Sequence, residues 1–267
     1  MTHPVRSEKK KSVPAAGAAP EAIAAALVSR LEAAGDPVRA AGSQRYFKEA
    51  VSFYGLTTPQ LREITAEFFG RVKDHWTLRE AVALCEILLP QKKFEAKTSA
   101  IVLLLKFKKE FKPDFVRRIK GWLARDYCDN WACVDVLCPE AVGGLIEKHP
   151  DLIDEITSWT AHPNRWVRRA SIVAFVPLAR HGKFLDAAYG IAERMFAVRD
   201  DLLEKANGWM LREAGKKDMP RLEAFLRKHG ASIPRTTLRY AIERFPEAER
   251  KALLSATRER AGGANHD

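Results

Sequence analysis

Apolar residues recur every three or four positions in segment after segment of this chain. PEAIAAALVSRLEAA, TPQLREITAEFFGRV, LREAVALCEILL, KFEAKTSAIVLLLKFKKEF and PDFVRRIKGWLA all show it, and that spacing places apolar side chains along one face of a helix. No run of alternating β-branched residues competes with it. The breaks fall at Gly, Pro, Asn and Asp, and Pro59, Pro113, Pro163 and Pro234 suit first-turn positions, where no amide donor is needed. The pattern predicts an all-α protein of about twelve to fourteen helices.

A weak internal repeat overlies the helical pattern. DNWACVDVL, PNRWVRRASIV and KANGWMLREAG each place Asn one or two residues before a tryptophan, Trp131, Trp166 or Trp209, and follow it with an apolar and charged segment. The intervals suit HEAT or armadillo-like helix pairs, in which each unit buries its apolar face on the next. A helical-repeat solenoid is expected, with a concave basic face along which RWVRR, WMLRE and KK line up. A single repeat domain is expected over residues 20–258. The basic run RSEKKK and the Pro- and Ala-rich stretch after it predict a disordered tail over residues 1–19, and a flexible tail is expected over 259–267.

Composition narrows the partner. A formal charge of +11 over 267 residues exceeds what solubility requires and favours a polyanion, nucleic acid before an anionic membrane. No apolar stretch approaches the roughly 18 residues that a membrane span needs, and the N-terminus imitates an export signal poorly, because Pro14 and Pro20 interrupt it. The expectation is a cytoplasmic protein. Cys85, Cys128, Cys133 and Cys138 sit among apolar neighbours and read as reduced, buried side chains.

Several chemistries lack their residues. Three cysteines five apart point in different directions on a helix and have no histidine pair beside them, so no metal is expected. There is no phosphate loop, no GxGxxG after a strand and no GxSxG elbow, and no cofactor is expected. What remains is Trp131 with Asp135 one helical turn on, Arg168 and Arg169 after Trp166, and Trp209 with Arg212. Each alone reads as core aromatic or solvated charge, and Trp166 is the most readily read as plain core. Three tryptophans at equivalent repeat positions, two with a charged residue one turn on, suit aromatic and ionic contacts on one inner face.

The ordered set NWACVD, NRWVRRA and NGWMLREA, with the upstream QRYFKEAVSFYGLTTPQLREI, resembles the AlkD-type family of bacterial DNA alkylation-repair glycosylases, built of HEAT-like repeats, over about residues 40–256. The resemblance implies that Trp131 and Trp209 flank the deoxyribose of the damaged nucleotide, that Asp135 is the catalytic carboxylate, and that Arg169 holds the DNA backbone near the lesion. Arg168 is expected beside it on the DNA, and Tyr46, Arg62 and Arg212 resemble further DNA-facing positions. It implies hydrolysis of the N-glycosidic bond of cationic N3- and N7-alkylpurines in double-stranded DNA, without base flipping, by a monomer in a nucleoid-associated, bacterial setting. The alternative is a non-catalytic HEAT-repeat scaffold or DNA-structure binder. A helix-hairpin-helix glycosylase would need a Gly-rich hairpin before its aspartate, and none is found.

Overall fold

The computed structural model describes residues 14–257. The tail expected over 259–267 lies outside the described residues, as do residues 1–13 of the N-terminal one. Residues 14–19 are described and are anchored. The Gly17 N–H donates to the Arg71 carbonyl at 3.1 Å, and the Trp76 indole N–H donates to the Ala18 carbonyl at 3.0 Å.

Among the described residues the fold is all-α, with fifteen α-helices and one isolated bridge between Ser52 and Lys93. The count exceeds the expected range because some helical runs are interrupted, as at Ala174. The chain forms two compact units, the first ending at Phe107 and the second beginning at Lys108, where one domain is expected.

The first unit contains α1 (Pro20–Ala33), α2 (Pro37–Ser43), α3 (Thr58–Val72), α4 (Leu78–Leu88) and α5 (Phe94–Leu105). Thr57 and Thr77 each start a helix with a capping box, completed by Gln60 and Glu80, which satisfies amide donors that the first turn leaves unpaired. Ile23, Leu27 and Leu31 of α1 are fully buried and lie four residues apart, so α1 presents one apolar stripe to α3 and α4. Buried Glu95 of α5 accepts from the backbone N–H of Tyr54, Gly55 and Leu56 at 2.9, 2.8 and 3.2 Å. The loop before α3 thus gains the partners that a helix or sheet would otherwise supply.

The second unit contains α6 (Phe115–Ala124), α7 (Trp131–Lys148), α8 (Ile153–Ser158), α9 (Arg165–Val173), α10 (Phe175–Arg180), α11 (Leu185–Met195), α12 (Asp201–Gly215), α13 (Met219–His229), α14 (Arg235–Ala241) and α15 (Glu247–Ala256). Its repeat character is visible in the ion pairs. Arg169–Asp135, Arg165–Asp200, Arg180–Glu213 and Arg221–Asp186 join residues 34, 35, 33 and 35 positions apart. Each ties one helix to a later one at nearly constant offset, as stacked repeats require. All four cysteines are buried free thiols. Of the four prolines expected in first turns, only Pro59 is there; Pro113, Pro163 and Pro234 precede their helices by one to two positions, and Pro139 sits inside α7.

Helix α12 packs against α9, α10, α11 and α14, and Gly208 permits the approach of α14. A Cβ there would lie 2.6 Å from the Thr237 carbonyl oxygen of α14, which is backbone and has nowhere to go. The Thr237 hydroxyl donates to the Glu204 carbonyl at 3.0 Å from the same contact. Gly144 of α7, by contrast, has nothing within 4 Å of where a Cβ would stand. Gly208→Ala is therefore expected to lower unfolding free energy by about 1–3 kcal/mol through overpacking, whereas Gly144→Ala should raise it by about 0.5–1 kcal/mol through helix propensity. Urea denaturation of the two variants checks both signs.

Candidate functional site

Helix α7 begins at Trp131 because Asn130 ends the preceding turn. Its buried side chain accepts from the Cys133 N–H at 3.0 Å and donates to Asp129 Oδ1 at 3.2 Å, the geometry of an N-cap. With Trp131 at the first helical position, Asp135 follows one turn later on the same face. Both residues are half-buried.

The partner of Asp135 comes from α9. Asn164 caps that helix, accepting from the Trp166 N–H at 2.8 Å, and its amide donates to Asp126 Oδ1 at 2.8 Å. One turn on, Arg169 meets Asp135 with a two-pronged contact, Nε to Oδ1 at 2.8 Å and Nη2 to Oδ2 at 2.7 Å. Its remaining nitrogen, Nη1, donates to the Leu202 carbonyl in the first turn of α12. Arg165, one turn earlier on the same face of α9, pairs with Asp200, which caps α12 through the Leu202 N–H at 3.0 Å. The N-terminal halves of α7, α9 and α12 are thereby cross-linked by two arginines.

The pair is oriented. The Asp135 side chain is 16% exposed and that of Arg169 only 6%, so the carboxylate is the less deeply buried partner. Burial pushes the Asp135 carboxyl above its ordinary value, and the hydrogen bonds and charge of Arg169 pull the other way. Arg169, expected on a DNA phosphate, is buried and its fork is taken by a carboxylate and a carbonyl. It serves first as the counter-charge that lets Asp135 exist as an ion at this depth.

Of the other expected residues, Trp166 is 5% exposed and is core, with the Arg165 guanidinium 5.5 Å from its ring. Trp209 is half-buried on α12, flanked by Gly208 at the close approach and by buried Asn207, which donates to the Ala192 carbonyl at 3.0 Å. The three tryptophans do not occupy equivalent positions. Trp131 and Trp166 follow capping asparagines, whereas Asn207 and Trp209 lie in the middle of a helix. Arg168 is half-buried, with Nε lacking a hydrogen-bond partner. Arg212 pairs with Glu243 and is 21% exposed. Tyr46, 80% exposed, and exposed Arg62 belong to the first unit. Asn164, Asp126 and the Leu202 carbonyl escaped sequence reading. The Asn-before-Trp signal that marks Asn164 reads as a repeat signature, while its physical cause at that position is helix capping.

A family model described as "DNA alkylation repair enzyme" matches residues 27–245. Among solved structures, a predicted DNA alkylation repair enzyme from Enterococcus faecalis superposes with a TM-score of 0.70 at 18% identity, covering 80% of this chain and 97% of its own. At that identity the likeness shows a shared fold. No curated protein matches.

Removing Arg169 strands a buried carboxylate. Arg169→Ala is expected to cost about 3–5 kcal/mol of stability, and adding Asp135→Asn to it should recover part of that loss, because the orphaned charge disappears. A double-mutant cycle by chemical denaturation reads the coupling. Additive effects would mean that the two side chains act independently.

Proposed function

Since this chain belongs to the family of DNA alkylation repair enzymes, we propose that it is a DNA glycosylase that hydrolyses the N-glycosidic bond of cationic N3- and N7-alkylated purines in duplex DNA without extruding the base. The observation that carries this reading is the Asp135 carboxylate, one turn from half-buried Trp131 and paired with a more deeply buried cation. A purine alkylated at N7 or N3 is already positively charged and leaves without protonation. As the C1′–N bond breaks, its electron pair neutralises the departing base and positive charge develops on C1′ and the ring oxygen. A water molecule then bonds to C1′ and gives up a proton, leaving an abasic site.

Asp135 is assigned to stabilising that sugar cation and to orienting the water. Trp131 and Trp209 are assigned to the deoxyribose, offering indole faces to a positive centre. The size of the carboxylate effect follows from charge and depth. A carboxylate about 4 Å from C1′ contributes about 4 kcal/mol at an effective dielectric near 20, and a guanidinium about 8 Å away opposes it by about 2 kcal/mol. The net of about 2 kcal/mol corresponds to roughly thirtyfold in rate. Were the guanidinium the nearer group, the sign would reverse.

The resemblance implies a phosphate contact for Arg169, whose fork is already engaged by Asp135; half-buried Arg168 is proposed to contact the backbone beside it, with Arg212 near Trp209. Tyr46 and Arg62 are proposed as DNA contacts of the first unit. Such contacts place a duplex without reading its sequence, as suits an enzyme that must scan for damage.

One experiment tests this reading: single-turnover base release from matched duplexes carrying 7-methylguanine, a bulky cationic N7 adduct, or neutral hypoxanthine. The wild-type protein is expected to release both cationic bases and to leave hypoxanthine, because none of the described residues assigned to the site is given the role of proton donor that a neutral base needs. Asp135→Asn removes the roughly 4 kcal/mol carboxylate contribution and leaves the opposing guanidinium, so it should slow release by up to about a thousandfold with DNA affinity nearly unchanged. Binding without release of any base would make the protein a non-catalytic DNA-structure binder. Efficient hypoxanthine release would overturn the charge argument.

A further inference from the structure

The turn leading into α7 carries a cation that the candidate site does not use. Arg125 ends α6, its Nε–H donating to the Gly121 carbonyl at 3.1 Å, and its guanidinium carbon stands 4.6 Å from the centre of the Tyr127 ring. That separation is a cation–π contact. The residue remains exposed. Helix α6 adds to the local charge, since Arg117 and Arg118 are also exposed and residues 115–125 contain no acidic side chain.

The turn itself is strained and fixed. Asp126 has φ of 57°, a left-handed conformation that glycine would adopt at lower cost. Its side chain is used: the carboxylate accepts from Asn164 at 2.8 Å, and Asn164 caps α9. The N–H groups of Asp126 and Tyr127 donate back to the carbonyls of Leu123 and Trp122 at 3.1 and 2.9 Å. Four residues beyond Tyr127 the chain reaches Trp131. Strain kept in an exposed turn and over-determined by a side-chain latch marks a segment whose shape matters.

A guanidinium held over an aromatic ring has already lost much of its rotamer freedom, so less entropy remains to be lost when it meets a planar array of anionic oxygens. Phosphate is the anion whose geometry the fork matches. We propose that Arg125, stacked on Tyr127 by the pinned turn, takes a backbone phosphate of duplex DNA next to the nucleotide at Trp131, giving the protein a grip separate from Arg168 and Arg212. The inference rests on the reading that the chain binds duplex DNA, and it is independent of whether a base is released.

The test is equilibrium binding to an undamaged duplex across a salt series, for the wild-type protein, Arg125→Ala, Tyr127→Ala and, as a reference for simple loss of surface charge, Lys251→Ala on α15. Arg125→Ala should weaken binding about threefold to tenfold and reduce the salt slope by about one unit, as loss of one phosphate contact requires. Tyr127→Ala keeps the cation but frees it, so affinity should fall with the slope nearly retained. Lys251→Ala should change neither beyond the small effect of net charge. Arg125→Ala behaving as Lys251→Ala would overturn the proposal, and Tyr127→Ala at wild-type affinity would overturn the part given to stacking. If the wild-type protein fails to bind duplex at all, the proposed function falls together with this inference; wild-type binding with an unaltered Arg125→Ala slope removes the inference alone.

Discussion

A carboxylate cannot stay charged in a largely desolvated place without a partner, and the architecture around Asp135 follows from that constraint. The idealised cost of desolvating such an ion is many kcal/mol, and one buried guanidinium with two hydrogen bonds to it offsets that cost. Arg169 must itself be buried with a partner on each of its nitrogens, which the Leu202 carbonyl completes. Three helices must then begin at the right level: α7 to raise Asp135, α9 to raise Arg169 and α12 to present Leu202. The caps Asn130, Asn164 and Asp200 set those levels. A buried pair of this kind adds little net stability; its effect is to fix one arrangement of the carboxylate.

The repeat supplies the rigidity that such an arrangement needs. Ion pairs at nearly constant offset register α7, α9 and α12 against one another at more than one point, since Arg165–Asp200 acts on the same face of α9 as Arg169–Asp135. Further along α12, Gly208 lets the α14 backbone approach and buried Asn207 ties the helix to α11, so Trp209 stands on a helix held from two sides. A site made from side chains on packed helices holds its geometry better than one made from loops. The latch between Asp126 and Asn164 extends the same framework to the turn before Trp131.

Much of the helical class and the pairing of Trp131 with Asp135 is legible in the sequence, because both depend on spacing along one helix. Capping residues are legible in type: Asn130 and Asn164 both stand where a helix begins. The position of Arg169 is not, because its partner lies 34 residues away. An exposed arginine and a buried one share the same local pattern; only the packing of α9 on α7 decides between phosphate and carboxylate. The supposed equivalence of the three tryptophans fails for the opposite reason. Asn followed closely by Trp arises twice from capping and once inside α12, where Asn207 serves packing. The break after Phe107 carries no compositional mark, since the helical pattern continues through it.

The most direct test of the account is the pH dependence of single-turnover 7-methylguanine release, corrected for spontaneous depurination. Asp135 acts as a carboxylate, and burial raises its pKa against the pull of Arg169. Protonation removes the active form, so the enzymatic rate should be low in acid, rise through a single ionisation above the ordinary aspartate value, and level off at higher pH. That rise should be absent in Asp135→Asn. An enzymatic rate that stays flat through the acid range, or a rise that survives in Asp135→Asn, would contradict the claim that an ion-paired carboxylate drives the chemistry.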